Sequence, residues 1–229
     1  MFTILKWDTV SLMVFDSIER IARVIIKQSS PTRFDSLNHL WTGDQLFDLM
    51  NQTEIPTYGQ LVDDATQNET RKNMMDTLVK YGVCWLRDTP SDHSATVNAA
   101  KIFSCEQPNV FGTDWSFTAD GARADRLANP FTKYFKITLT LSAYSTIGIG
   151  LHTDASYYCQ PMGIQIFHVL EHRGNGGETM LSDGFSALKT LFEQDQDAFK
   201  FLTEYNLRHE YKENGQPGHH LHSVGSVIG

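Results

Sequence analysis

The sequence predicts a mixed α+β fold in which helices buttress a double-stranded β-helix, or jelly roll. Three observations support this fold class. Residues 164–170 alternate between two faces and favour a sheet strand. A glycine-rich turn at 174–177 then leads to a return strand at 178–182, so the two strands are predicted to form a hairpin. The pair His152 and Asp154 stands just before this hairpin, which is how a jelly roll presents a metal ligand.

The composition is that of an ordinary soluble globular protein. Its 229 residues are 41% hydrophobic and 20% charged, which is enough for one substantial core. The formal net charge of −8 argues against non-specific nucleic-acid binding and is compatible with a cationic substrate. No apolar run approaches the ~18 residues needed to cross a membrane. Three scattered cysteines without a C-x-x-C pair indicate neither a disulfide framework nor a zinc knuckle.

The first 36 residues are predicted to form a separate N-terminal segment. Residues 12–27 show the apolar spacing of a helix, with basic residues off the apolar face. The same pattern fits a mitochondrial presequence, although Asp8, Asp16 and Glu19 are unusual in one, so mitochondrial and cytoplasmic locations both stay open. The polar, proline-containing stretch at 29–36 then marks the boundary before a domain at 37–229.

The elements around the predicted hairpin follow from local signals. Residues 67–81 are predicted to form a helix, with Asn68 as a candidate N-cap and Gly82 as the stop. Helices that precede a barrel usually pack on its outer surface. The other predicted elements are a buried strand at 83–86, helices at 91–103, 185–192 and 195–202, and an alternating strand at 205–211.

His152 and Asp154 are the candidate metal ligands. Side chains two apart on a strand point to the same side, so an imidazole nitrogen and a carboxylate oxygen can reach one metal. Such a pair supplies two corners of the 2-His-1-carboxylate triad of non-haem Fe(II) oxygenases. Alone the pattern is weak evidence, because H-x-D is common by chance. The ordinary alternative is a strand histidine that bonds a neighbouring group.

Further motifs surround this pair. They are FGTDWSFTAD at 111–120, AYST at 143–146, GIQIFH at 163–168, GGET at 176–179, SDGF at 182–185 and LRHEY at 207–211. Together they resemble the taurine-dioxygenase-like Fe(II)/2-oxoglutarate oxygenases, and in particular their carnitine-biosynthesis branch, which acts on trimethyllysine or γ-butyrobetaine. The likeness extends from around Leu40 to the C-terminus, and LRHEY favours the trimethyllysine enzymes.

The resemblance implies cofactors, chemistry and a substrate site. It implies Fe(II) held by His152 and Asp154, 2-oxoglutarate and ascorbate as further cofactors, and hydroxylation of trimethyllysine, with γ-butyrobetaine as the alternative substrate. It implies no catalytic residue beyond the metal ligands, and the residues that bind 2-oxoglutarate stay unassigned. Phe111, Trp115 and Tyr144 resemble the family's aromatic cage, whose π faces attract a trimethylammonium group that has no N–H. The alternative is that these three rings belong to the core.

Three departures from the family pattern qualify this interpretation. The chain stops before the family's second iron-binding histidine and the arginine that holds 2-oxoglutarate, so the jelly roll is expected to be incomplete at the C-terminus and this truncated chain inactive. The family's N-terminal Cys/His zinc module is absent, and residues 126–142 resemble an insertion. These departures keep open a second hypothesis, a non-catalytic fragment or pseudoenzyme of the same fold.

The remaining histidines are predicted not to bind the metal. His168 lies on an alternating strand and is expected to be a core histidine. His209, His219, His220 and His222 correspond to family positions that are not ligands. The last three also lie in a segment that is predicted to be flexible and that would bind metal only promiscuously.

Overall fold

The structure is a computed structural model that describes the chain in several ranges. These are residues 39–52, 54–103, 106, 108–110, 112, 114, 148–160, 162–172, 177–212 and 218–228, with the backbone of Thr3–Leu5 and Leu12–Asp16. No helix within these ranges is long and apolar enough to cross a bilayer. The elements, in chain order, are β1 (Thr3–Leu5), β2 (Leu12–Asp16), α1 (Gly43–Gln52), α2 (Tyr58–Val62), α3 (Gln67–Tyr81), β3 (Val83–Leu86), α4 (His93–Phe103), β4 (Ile164–His168), β5 (Thr179–Leu181), α5 (Gly184–Gln194), α6 (Gln196–Glu204), β6 (Asn206–Lys212) and β7 (His220–Ser226).

The described strands form three antiparallel sheets. β2 lies between β3 and β4, with Leu12 opposite both Leu86 and His168. β1 pairs with β5, and β6 pairs with β7. The mixed α+β class is therefore confirmed, whereas the jelly roll and its incomplete C-terminus stay predictions.

The helix predicted at 12–27 is wrong for its first residues, because Leu12–Asp16 is the strand β2. This short apolar segment gains hydrogen-bonding partners on both sides, from β3 and from β4, and such tertiary pairing outweighs a helical spacing of apolar residues. Residues 17–36, which hold the rest of the predicted helix and the predicted linker, lie outside the described residues. The boundary between 1–36 and 37–229 therefore stays a prediction.

The predicted hairpin between 164–170 and 178–182 is also wrong. Both strands exist, as β4 and β5, but Gln165 of β4 lies opposite Phe15 of β2, and Met180 of β5 lies opposite Ile4 of β1. A turn pattern indicates that the chain reverses, yet it does not determine which strand becomes the hydrogen-bonded neighbour.

The helix α3 matches its predicted bounds and joins the helices to the sheet. It ends at Gly82, whose φ of 74° is a backbone conformation that favours glycine. Its N-cap is Thr66 rather than Asn68, and the Thr66 side chain makes no capping hydrogen bond. Met74 and Leu78 are buried in a core whose other buried members are Leu61, Cys84, Leu86 and Ala99, with Ile164 and Ile166 packed against it from β4. The strand that follows the candidate metal centre is thus anchored on the helical layer.

The SDGF motif has a structural role through Asp183. Its Oδ1 accepts hydrogen bonds from the backbone N–H groups of Phe185 and Ser186, at 2.9 and 3.2 Å, and so caps α5. Its Oδ2 accepts a hydrogen bond from the backbone N–H of Trp41 at 2.9 Å. The indole Nε1 of Trp41 in turn donates to the carbonyl oxygen of Tyr81 at 2.8 Å. One carboxylate therefore fixes the start of α5 to the segment before α1 and, through Trp41, to the end of α3.

The C-terminal residues form a hairpin of their own. β6 and β7 pair from Asn206 opposite Ser226 to Lys212 opposite His220. The predicted flexibility is therefore wrong for His220 and His222, since both lie in β7.

Candidate metal centre

His152 and Asp154 lie next to each other in the structure, although not on a strand. Residues 148–155 have no regular secondary structure, so the strand on which the prediction relied is not present. The two side chains nevertheless converge, with 3.4 Å between Nε2 of His152 and Oδ1 of Asp154. About half of each side chain is exposed, 51% and 52%, so the pair is open to a ligand from solvent.

The backbone of Gly150 orients the imidazole of His152. The Nδ1 atom of His152 lies 2.7 Å from the carbonyl oxygen of Gly150. A carbonyl can only accept, so Nδ1 carries the proton and donates it, which leaves Nε2 with a free lone pair in the neutral ring. Histidines that bind metals are commonly oriented in this way by a carbonyl behind the ring. The nitrogen that faces Asp154 is therefore the one that can bind a metal.

Gln165 holds the other candidate ligand. Its side-chain Nε2 donates a hydrogen bond to Oδ2 of Asp154 at 2.9 Å. The opposite carboxylate oxygen, Oδ1, is the one that faces His152. Sequence reasoning assigned no role to Gln165, although its position on the alternating strand β4 places it on the face opposite Ile164 and Ile166.

A turn at Ala155 reverses the chain directly after Asp154. Ala155 has a φ of 63° and is buried, with 7% of its surface exposed. Its carbonyl oxygen accepts a hydrogen bond from the backbone N–H of Tyr158 at 3.0 Å. A left-handed conformation costs a non-glycine residue about 1–2 kcal/mol, and residues held in this way occur often near functional sites.

The two donors fit an Fe(II) ion. A nitrogen and an oxygen bound to one metal at roughly 2.1 Å, and at right angles to each other, lie about 3.0 Å apart. The observed 3.4 Å is close to this separation. Imidazole and carboxylate are also the donor types of the non-haem iron triad. Within the described part of the chain, no third His, Cys, Asp or Glu joins them in a group that could hold a metal.

The predicted cage residues Phe111, Trp115 and Tyr144 lie outside the described residues, as does the predicted insertion at 126–142. The residue before Phe111 is described, and it contacts the segment that carries the metal pair. The backbone N–H of Val110 donates to the hydroxyl of Tyr158 at 3.3 Å. Val110, which directly precedes the FGTDWSFTAD motif, is therefore close to the chain that leaves Asp154.

The β6–β7 hairpin packs against the same segment, a contact that the sequence did not predict. The hydroxyl of Ser223 donates to the carbonyl oxygen of Ser156 at 2.5 Å. The rings of Tyr157 and Tyr211 are stacked with 5.1 Å between their centroids. The imidazole of His220 instead contacts the carboxylate of Glu210 on the neighbouring strand, an interaction that lowers the pKa of Glu210. The hairpin thus supports the segment behind the metal pair.

His168 is held by the helical layer and faces away from Gln165. Its Nδ1 lies 2.6 Å from the hydroxyl of Thr96 on α4, and its Nε2 is buried without a hydrogen-bond partner among the described residues. Partial burial lowers the pKa of His168 below the ordinary 6.5, and the negative charge of Asp92 opposes this effect. His168 therefore has the environment of a packed, neutral histidine.

This lowered pKa predicts a loss of stability in acid. Below 6.5 the unfolded chain binds a proton at His168 more readily than the folded chain does, so the free energy of unfolding decreases as the pH falls through that value. We expect His168→Asn to lessen this loss, because its amide can still bond Thr96 but does not titrate. Urea denaturation at a series of pH values measures the effect, with His222→Asn on the exposed face of β7 as the control. Identical pH profiles for the wild type and His168→Asn would contradict the assignment.

Comparison with known proteins places these features in one family. The model of the family described as "Taurine catabolism dioxygenase TauD, TfdA family" matches residues 52–226. The chain is 31% identical to the mitochondrial trimethyllysine dioxygenase of Bos taurus over 193 residues, which are 82% of this chain and 40% of that protein. It is 33% identical to the enzyme of the same name from Gallus gallus, with the same coverage. The trimethyllysine dioxygenase of Meyerozyma guilliermondii is 29% identical over 61% of this chain and 32% of its own length.

The chain spans only part of these relatives: 40% of the length of the Bos taurus and Gallus gallus proteins and 32% of the length of the Meyerozyma guilliermondii protein. No solved structure matches it. The family match covers most of the chain and includes β4, the His152–Asp154 pair and the β6–β7 hairpin behind that pair. On this evidence the chain belongs to the taurine catabolism dioxygenase TauD, TfdA family.

Proposed function

We propose that this chain carries the iron site of an Fe(II)/2-oxoglutarate-dependent dioxygenase that hydroxylates trimethyllysine. The observation that carries the proposal is the convergence of His152 Nε2 and Asp154 Oδ1 at 3.4 Å in a member of the TauD, TfdA family. Bound iron with 2-oxoglutarate would supply the chemistry, in which O₂ and 2-oxoglutarate become succinate, CO₂ and the hydroxyl group of the product.

The residues of this chain have defined tasks in that reaction. His152 offers Nε2 to the metal because the Gly150 carbonyl holds the proton at Nδ1. Asp154 offers Oδ1 and contributes the negative charge that favours a divalent cation. Both candidate ligands come from one short loop that is closed by the turn at Ala155, so their backbone atoms stay close together.

Trimethyllysine as the substrate is supported by the relatives and by charge. Several relatives are named trimethyllysine dioxygenases. The net charge of −8 favours a cationic ligand. Trp115 and Tyr144, together with Phe111, would supply the π faces that a trimethylammonium group requires. Val110, the residue before Phe111, contacts Tyr158 near the candidate metal ligands.

We also propose a mitochondrial location, with the cytoplasm as the alternative. The relatives from Bos taurus and Gallus gallus carry "mitochondrial" in their names. Cell fractionation of a C-terminally tagged chain tests this location, and a purely cytosolic signal would contradict it.

The function is tested by turnover of the purified chain. Fe(II), ascorbate and 2-oxoglutarate are supplied with trimethyllysine, or with γ-butyrobetaine as the alternative substrate, and succinate and hydroxylated product are measured by mass spectrometry. Succinate formation that depends on trimethyllysine is the result that this function predicts, and it would contradict the inactivity that the sequence analysis leads us to expect of this chain. Retained binding of metal and trimethyllysine without turnover would instead favour a non-catalytic member of the family.

The aromatic cage predicts a selective loss of substrate binding. Trp115→Leu and Tyr144→Leu should each weaken trimethyllysine binding by roughly 2- to 30-fold, the range expected from one cation–π contact. Binding of 2-oxoglutarate should stay unchanged. Calorimetric titration measures both, with Tyr205→Leu as the control because Tyr205 is 51% exposed at the end of α6. An equal loss for both ligands would indicate that these rings pack in the core.

A further inference from the structure

We infer that Gln165 is a positioning residue that fixes the carboxylate of Asp154 in the orientation in which it binds the metal. The inference rests on the proposed metal site. It assigns to the GIQIFH motif a role that neither the family match nor the motif itself specifies. Gln165 does not touch the metal in this role, because it acts through the hydrogen bond to Asp154.

The hydrogen bond divides the two carboxylate oxygens between two tasks. Oδ2 of Asp154 accepts the N–H of Gln165 at 2.9 Å, a good length for an amide donor and a carboxylate. Oδ1 then faces Nε2 of His152, which lies 3.4 Å away. Rotation of the carboxylate, which would turn Oδ1 away from His152, breaks the bond to Gln165. The hydrogen bond from Gln165 therefore selects one orientation of Asp154, in which Oδ1 faces the lone pair of His152 Nε2.

The strand that carries Gln165 is a firm support for this bond. β4 is hydrogen-bonded to the central strand β2, and Gln165 lies opposite Phe15 there. Ile164 and Ile166, its neighbours on the strand, pack against the helical core from the other face. Alternation along β4 thus anchors one face in the core and directs Gln165 to the loop that carries Asp154.

Support of this kind matters because the candidate ligands are half-exposed. A side chain with 52% of its surface in solvent loses rotamer freedom when it binds a metal, unless a neighbour already restricts it. Gln165 is also uncharged. A lysine or arginine at this place would hold the carboxylate but would repel a divalent cation, whereas an amide holds it and leaves its negative charge available.

Each of the two candidate ligands has a hydrogen-bonding partner that orients it. The Gly150 carbonyl directs the lone pair of His152, and the Gln165 amide directs the oxygen of Asp154. Changes to such supporting partners typically weaken metal binding by about 10- to 100-fold. The effect of Gln165 should lie in that range.

The test is a titration of the full chain with Mn(II), in which electron paramagnetic resonance measures the concentration of the free ion. Gln165→Met keeps the length of the side chain and removes the amide donor, so we expect a 10- to 100-fold weaker affinity for Mn(II) and an unchanged thermal melt. Gln194→Met, at an exposed position in α5, is the matched control and should bind like the wild type. Gln165→Leu provides a second variant if Gln165→Met melts without cooperativity.

Two further measurements separate a positioning role from a merely structural one. The visible spectrum of the Co(II)-loaded chain should change in Gln165→Met, because the carboxylate then binds in a different orientation. In an Asp154→Ala background, Gln165→Met should have no additional effect on Mn(II) affinity. If Gln165→Met weakened Mn(II) binding as much in the Asp154→Ala background as it does in the wild type, the inference would be wrong.

The outcomes also distinguish this inference from the proposed function. If Asp154→Ala leaves Mn(II) binding unchanged, the proposed metal site itself is wrong. If Asp154→Ala removes binding while Gln165→Met retains wild-type affinity and the wild-type Co(II) spectrum, the metal site stands and only the role of Gln165 is refuted.

Discussion

His152→Ala and Asp154→Ala are each expected to weaken Fe(II) binding by more than about 100-fold, beyond the range for supporting partners, and to abolish the consumption of 2-oxoglutarate. Each variant removes one of the two donors that converge at 3.4 Å in the loop before Ala155. One protein side chain of the pair would then remain to bind the metal ion. Since both side chains are about half-exposed, their truncation leaves no cavity, and the fold should be retained.

Binding is measured by anaerobic titration with Fe(II), and turnover by succinate formation. His222→Ala and Asp197→Ala are matched controls, because they remove an exposed histidine on β7 and an exposed aspartate in the first turn of α6. Both controls should behave like the wild type. Near-normal turnover in either His152→Ala or Asp154→Ala would remove this pair from the reaction.

Local signals were sufficient where an element depends on its own residues. The bounds of α3 follow from an apolar face and from Gly82, whose positive φ ends the helix without strain. β3 follows from four consecutive buried residues. The predicted helices at 185–192 and 195–202 are confirmed as α5 and α6, whose N-caps are the aspartates Asp183 and Asp195.

Strand pairing could not be predicted in the same way. Leu12–Asp16 carries apolar residues that fit either a helix or a strand, and its outcome depends on β3 and β4, which lie far along the chain. The predicted turn at 174–177 lies almost wholly outside the described residues, and the strands on either side of it, β4 and β5, pair with β2 and β1 instead of with each other. Which strands pair is decided by tertiary packing between residues that are far apart in the chain, and a short stretch of sequence does not contain that information.

The two candidate metal ligands lie close together although the strand on which their prediction relied is absent. The spacing of His152 and Asp154 indicated convergence on a strand, whereas the structure brings them together in an irregular loop that is closed by Ala155. The short separation in sequence was enough to keep the side chains close. Gln165 was missed because its partner lies eleven residues away, and only the placement of β4 beside the loop brings the two together.

Leu86→Ala is expected to destabilise the fold by about 2–5 kcal/mol, as is typical when a buried leucine is truncated. Leu86 is fully buried in β3, where it packs in the core that joins α3 and α4 to the sheet. Removal of its isobutyl group leaves a cavity between layers that are fixed by strand pairing and cannot readily collapse. Such a loss is a large part of the 5–15 kcal/mol that typically stabilises a domain.

Urea denaturation measures this effect as a lower midpoint with an unchanged dependence on urea concentration. Leu207→Ala is the matched control, because Leu207 lies on a strand of the β6–β7 hairpin with 37% of its surface exposed and should lose less than about 1 kcal/mol. Leu86→Met, which keeps the volume, should cost less than about 1.5 kcal/mol and serves if Leu86→Ala does not fold. If Leu86→Ala and Leu207→Ala were equally stable, the core described around β3 would not be what holds the sheet to the helices. The support that β4 gives to Asp154 through Gln165 would then need another origin, because β4 reaches that core through the same packed layer.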